Sequence, residues 1–150
     1  MDSEENRHSV TGAGPALHGY QRGKCFYCNK QIYLGDWRLL VERSEVNHFF
    51  PHVLQGRSHI DIDLNQAWNL VLACNQCNGA SEKSDSCPDI SYVYDIHDRN
   101  ENMIQSHHPL RESIIARTGR NESKRREFLQ TCYETAKRSL SHSWKTEKQY

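Results

Sequence analysis

Cys25-Phe26-Tyr27-Cys28 and Cys74-Asn75-Gln76-Cys77 are two Cys-x-x-Cys knuckles in one chain of 150 residues, and their reading decides the fold. Each knuckle offers two thiolates from a tight turn, and two knuckles complete a tetrahedral zinc site with Zn–S bonds of ~2.3 Å. Two other chemistries use the same pairs. Disulfides need an oxidising compartment and a redox knuckle needs a βαβ setting. The opening stretch MDSEENRHSV has no basic n-region and no apolar run, and no βαβ pattern flanks the knuckles, which favours zinc. Four cysteines close such a site to water and substrate, so its contribution is to folding. The intervening residues 29–73 number 45, against ~15–20 in a simple zinc ribbon, and this predicts a functional insertion between the knuckles. Cys87 and Cys132 fall outside the pattern and read as core thiols.

The composition calls for a staple of this kind. Only 36% of the chain is hydrophobic, and burial at ~25 cal/mol per Å² has to offset ~1.5 kcal/mol of ordering entropy per residue. Nineteen Lys and Arg balance nineteen Asp and Glu, so no global basic field marks the chain as a nucleic-acid binder. The balance conceals an asymmetry. Residues 51–100 hold three basic and seven acidic residues, whereas residues 101–150 hold ten and six, so a polyanion meets the C-terminal third first. No run approaches the ~18 apolar residues of a membrane span, which leads to the expectation of a soluble, cytoplasmic protein.

Three regions follow from the local pattern. Residues 1–19 are polar and broken by Gly12, Gly14 and Pro15, and read as a flexible lead-in. Residues 20–90 read as the zinc-stapled core: β-leaning pieces at 31–33, 38–41 and 46–50, a polar loop with Gly56, a second apolar run at 68–73, and a short helix over 78–85 that ends before Pro88. Residues 91–150 read as a helical extension of the same domain. One helix covers 109–118, with Leu110, Ile114 and Ile115 on one face and Gly119 as its stop. A longer one follows, with Asn121 as N-cap and Phe128, Leu129, Cys132, Tyr133, Ala136 and Leu140 as its stripe. Lys124, Arg125, Arg126, Lys137 and Arg138 lie on its other faces, either as a solvated surface or as a contact for a DNA backbone. The predicted fold is α+β, with helices packed beside a small zinc-clamped hairpin.

Between the knuckles stand Glu45-Val46-Asn47-His48-Phe49-Phe50-Pro51 and Trp68-Asn69-Leu70-Val71-Leu72, and Asn78 follows the last cysteine directly. This order resembles the HNH, or ββα-metal, endonuclease family in its zinc-stabilised form, whose pattern reads Cys-x-x-Cys, Asp-His with a nearby Pro, Asn-Leu, then Cys-x-x-Cys followed by His or Asn. The likeness spans residues 24–85. It implies that His48 is the general base activating water against a phosphodiester, and that Asn69 holds the loop and so orients His48. It also implies that Asn47 and Asn78 hold one Mg²⁺ or Mn²⁺ ion, and that the products carry 5′-phosphate and 3′-hydroxyl ends. The chemistry agrees, since an imidazole titrates near neutrality and a hard cation on oxygen ligands stabilises phosphorane charge.

The chain departs from the pattern at Asn47, where Asp is usual, and a neutral amide weakens divalent-ion binding. The alternative function is therefore a zinc-stapled nucleic-acid-binding module with weakened catalysis. Asp61 and Asp63 are candidates to compensate, and His52, His59, Lys83, Lys124 and Arg125 are candidates for substrate contact. The pair His107-His108 reads as a surface feature. The segment Arg99-Asn100-Glu101-Asn102, continuing to Ser106-His107-His108-Pro109-Leu110-Arg111-Glu112, resembles stretches that follow the HNH core in some bacterial defence proteins, which suggests phage defence as a setting. DNA is the implied partner, with RNA not separated from it. Action alone, as a homodimer, or beside a larger sensor or helicase subunit fits the sequence equally.

Overall fold

A computed structural model of the chain describes residue 17 and residues 21–32, 44–57, 62–78 and 86–148. The apolar run after Trp68 is too short for a core helix and lacks polar alternation, which is the mark of a strand covered on both faces. It forms β2 (Leu70–Cys74), buried at all five positions, and pairs antiparallel with β1 (Ser44–His48) in a register that sets His48 opposite Leu70 and Ser44 opposite Cys74. Between the strands lie α1 (Val53–Arg57) and a 3₁₀ turn at Ala67–Asn69. The short α2 (Asn75–Asn78) leaves β2 directly, which completes a small ββα-like arrangement. Residues 79–85, assigned to a helix from the sequence, and residues 38–41 lie outside the described residues.

The first knuckle docks on the edge of β2 that faces away from β1. Gln21 grips Leu72 with both ends of its amide, accepting from its N–H at 2.8 Å and donating to its carbonyl at 2.9 Å, and Phe26 N–H donates to the same carbonyl. An otherwise open strand edge is covered this way. Leu17 is fully buried in the core and its carbonyl accepts from Gln21 N–H, so this residue of the stretch that reads as a flexible lead-in is packed.

Beyond the hairpin come β3 (Ser86–Pro88), α3 (Ile90–Gln105), α4 (Arg111–Thr118), α5 (Glu122–Ser139) and β4 (His142–Trp144), with β3 and β4 paired in parallel. Pro88 therefore sits within a strand instead of ending a helix. Asn121 caps α5, its side chain accepting from Lys124 N–H at 2.9 Å, while Glu122 at the start and Lys137 and Arg138 at the end suit the helix dipole. Gly119 ends α4 at φ +145°, where a Cβ would stand 2.9 Å from Lys124 Cβ. The α3 helix carries Tyr92, Val93, Ile96, Met103 and Ile104 inward, with Arg99, Asn100 and Glu101 buried among them.

Aromatic rings fill the core. Tyr27 meets Trp144 edge-on at 4.7 Å, Tyr92 at 5.3 Å and Phe26 at 5.2 Å, and the contacts continue through Phe49, Phe50 and Trp68 to Phe128. Such pairs add ~0.5–1.5 kcal/mol each beyond their burial.

Asp89 caps α3, accepting from Ser91 Oγ at 2.7 Å and Ser91 N–H at 3.0 Å. These bonds, the hydroxyl's first, hold its carboxyl below the ordinary 3.8. An acid lowered on folding stabilises above its ordinary value, and the gain is lost as pH falls through the folded one. Asp89→Ala is thus expected to cost about 1 kcal/mol in urea unfolding at neutral pH, and progressively less as the pH falls below 3.8 and through the lower folded value. A loss that does not shrink on acidification would show that the cap does not act through its charge.

Candidate functional site

Two clusters meet at the hairpin. The first is Cys25, Cys28, Cys74 and Cys77, all buried, with their sulfurs within 4.8 Å of one another. The turn that carries Cys25 and Cys28 is closed by a bridge between Lys24 and Gln31, by Cys25 N–H to Lys30 carbonyl at 2.8 Å, and by Asn29 in the left-handed region at φ 70°. Cys74 ends β2 and Cys77 lies in α2. A tetrahedron with 2.3 Å bonds has edges of about 3.8 Å, and the Cys28 and Cys74 sulfurs stand 3.7 Å apart. None of the six cysteines is in a disulfide. Four buried cysteines this close can hold a structural zinc ion. A hydrogen bond with Cys77 holds the Cys25 thiol down to about 5, and burial pushes Cys28 up to about 11. Cys87 and Cys132 sit apart as buried thiols, raised by burial to about 11 and 12.

The second cluster lies at the other end of β1 and is reached through Tyr27. Its hydroxyl, inside the first knuckle, donates to Asn47 Oδ1 at 2.8 Å, and Asn47 Nδ2 donates to Asn78 Oδ1 at 2.6 Å. Two asparagines 31 positions apart are thereby joined beneath a buried tyrosine. As arranged, Asn47 turns its nitrogen and not its oxygen toward Asn78. A phenol hydroxyl can accept as well as donate, so turning the Asn47 amide over keeps a bond to Tyr27 and sets two hard oxygens side by side. That donor set fits Mg²⁺ or Mn²⁺ in kind, although it brings no charge.

Asn69 is fully buried and spends both of its amide donors and its carbonyl oxygen on the loop between the strands. Its Oδ1 accepts from Phe50 N–H at 2.8 Å, and its Nδ2 donates to the carbonyls of Phe50 at 3.1 Å and Leu64 at 3.0 Å. His48, next to Asn47 on the opposite face of β1, is half-buried, with Nε2 2.6 Å from Asn65 Oδ1 and its ring 5.6 Å from that of the exposed His52. Burial works against the Asp63 carboxylate, but hydrogen bonds from Gln66 and Asn65, with the charges of Arg117 and His52, outweigh it and keep the carboxyl below its ordinary value. Asp63 is thus occupied with its own loop.

Several sequence candidates are placed elsewhere. Arg125, a candidate for a DNA backbone, is buried and committed inward: its guanidinium pairs with both Glu101 oxygens at 2.6 and 2.8 Å and with Gly119 carbonyl at 3.0 Å, which corrects that reading. Lys124 is exposed on the first turn of α5. The pair His107-His108 serves the end of α3, where His107 takes φ 56° and His108 Nδ1 accepts from Leu110 N–H. Lys83, Asp61 and His59 lie outside the described residues. Tyr27 and Asn65 are absent from any sequence reading. The Asp63-Leu64-Asn65-Gln66 turn pattern is the signal that could have found the second. The chain matches no family model, no curated protein and no solved structure. Among the described residues no helix is long and apolar enough to cross a membrane.

Proposed function

We propose that the chain is a zinc-stapled HNH-type endonuclease that hydrolyses DNA phosphodiester bonds, with a divalent cation at Asn47 and Asn78. The observation that supports this best is the meeting of those two amides at 2.6 Å, with half-buried His48 following Asn47 at the end of β1 and Asn69 pinning the loop that comes next. His48 takes a proton from water as the oxygen attacks phosphorus. The bond from phosphorus to the 3′ oxygen breaks, and that oxygen leaves and takes a proton from solvent to become the 3′-hydroxyl while the phosphate stays on the 5′ side. Asn69 keeps residues 50 and 64 in register, so the imidazole does not swing as substrate arrives. When bound, the cation offsets the charge that develops on the phosphate and the leaving oxygen.

The test is nicking of supercoiled plasmid by zinc-loaded protein in Mg²⁺, Mn²⁺ or EDTA. Metal-dependent nicking is expected, with His48→Ala slower by about 10²–10⁴-fold and Asn47→Asp active at lower cation concentration. A His48→Ala variant as fast as wild type would end this mechanism. A second reading, a nucleic-acid-binding module that does not cleave, draws on the absence of charge from the Asn47 and Asn78 pair. Steeply salt-dependent binding of duplex DNA, with no nicking by any of the three proteins, would select it.

A further inference from the structure

The corner between α4 and α5 carries Arg117, Arg120 and Lys124, all exposed, and none of them makes a salt bridge among the described residues. The acids nearest to them in sequence are already engaged: Glu112 pairs with Arg111 at 2.6 Å, and Glu122 with His97 at 2.9 Å and Arg126 at 2.5 Å. Exposed Glu127, on the next turn of α5, is left to oppose three cations. The corner is also braced. Gly119 turns so tightly that a Cβ there would stand 2.9 Å from Lys124 Cβ, and Arg125, clamped by Glu101, donates to the Gly119 carbonyl at 3.0 Å. It is attached to the candidate site, because α4 packs on the 3₁₀ turn that supplies Asn69, and Arg117 and exposed His52 both lie close enough to Asp63 for their charges to act on its carboxylate. A braced set of cations with little opposing charge suits a polyanion. Tyr94, the exposed large aromatic side chain among the described residues, lies on α3 and not at the corner. The corner therefore offers no stacking platform for unpaired bases, whereas a duplex presents its phosphates outward to such a surface. We propose that the α4–α5 corner docks the phosphate backbone of duplex DNA, with Arg117, Arg120 and Lys124 each taking a phosphate and so holding the duplex beside the His48 loop. The choice of DNA rests on the endonuclease reading above, and the place rests on the charges.

The test is equilibrium binding of a duplex DNA oligonucleotide to the zinc-loaded full chain over a range of salt concentrations, without added Mg²⁺ or Mn²⁺. Losing three phosphate contacts makes the slope of log K against log salt shallower by about 2.7, and that difference is expected between the wild type and the triple variant Arg117→Gln, Arg120→Gln, Lys124→Gln. The double variant Lys137→Gln, Arg138→Gln, at the far end of α5, is expected to keep the wild-type slope. All five side chains are exposed, so both variants keep the fold. A triple variant with the wild-type slope overturns the inference, as does a double variant whose slope falls as far. A wild type that does not bind duplex DNA, or that binds single-stranded DNA more tightly, overturns it too. A wild type that binds through the corner but does not nick plasmid in Mg²⁺ or Mn²⁺ upholds the inference and ends the endonuclease reading, whereas nicking by a chain whose binding ignores the triple substitution ends the inference alone.

Discussion

Stripping zinc from Cys25, Cys28, Cys74 and Cys77 is expected to unfold the chain, not merely to loosen one turn. Structural zinc contributes ~10–16 kcal/mol of apparent binding energy at neutral pH, while a whole domain is stable by ~5–15 kcal/mol, so the loss consumes the margin. The route is visible in the packing. Tyr27, between two of the cysteines, is the ring on which Trp144, Tyr92 and Phe49 converge, and Phe26 N–H holds the edge of β2. The expected results are one zinc per chain, and loss of the near-ultraviolet circular dichroism of those rings on chelation or in Cys74→Ser. Cys132→Ser, which alters a buried thiol outside the cluster, stays folded. Protons compete with zinc for thiolate, so the stability that zinc confers is present at neutral pH and lost on acidification. A zinc-free chain with an unchanged spectrum and melting temperature would show that the knuckles are not a staple.

The second large effect belongs to Arg99. Its guanidinium is buried with no carboxylate partner among the described residues and instead donates to four oxygens: the carbonyls of Leu70 at 2.7 Å, Ala67 at 3.1 Å and Trp68 at 3.4 Å, and Asn100 Oδ1 at 2.8 Å. Burial lowers its pKa to about 10, so it stays charged at neutral pH. Those carbonyls belong to the 3₁₀ turn and the first residue of β2, the segment that delivers Asn69 to the loop. Arg99→Ala leaves several buried acceptors without donors at ~1–3 kcal/mol each, and the expected cost is about 3–5 kcal/mol in denaturant unfolding. Arg99→Lys recovers little, because three donors on one nitrogen cannot span the same fork. A loss below about 1 kcal/mol would mean that water replaces the guanidinium freely.

Arg99 also explains what the sequence hid. The α5 helix is legible because its apolar stripe is unbroken and Asn121 stands at its start. The α3 helix is nearly as long, but Arg99, Asn100 and Glu101 fall on its inward face and break the periodicity that marks a buried helix. They are inside because each finds a partner from far away: Arg99 reaches residues 67–70, and Glu101 takes Arg125. The same distant pairing removed Arg125 from the surface on which its charge seemed to belong. The four cysteines were legible as a set because their spacing is local within each knuckle. The β3 and β4 pair was not, since two three-residue strands 56 positions apart leave no local pattern. His48, Asn47, Asn69 and Asn78 stood out by order along the chain, whereas Tyr27 and Asn65 act only through contacts made in three dimensions.

Trp144 closes the aromatic cage around Tyr27 from far along the chain, and that gives the fold a direction in time. A ribosome adds ~5–20 residues per second, so all four cysteines exist in the nascent chain roughly 3–13 s before Trp144 is made. During that interval the knuckles lack the ring that packs on Tyr27 and the strand that pairs with β3. The thiols are thus chemically complete before they are sheltered, and whichever reagent reaches them first, metal ion or oxidant, decides the fate of each newly made molecule.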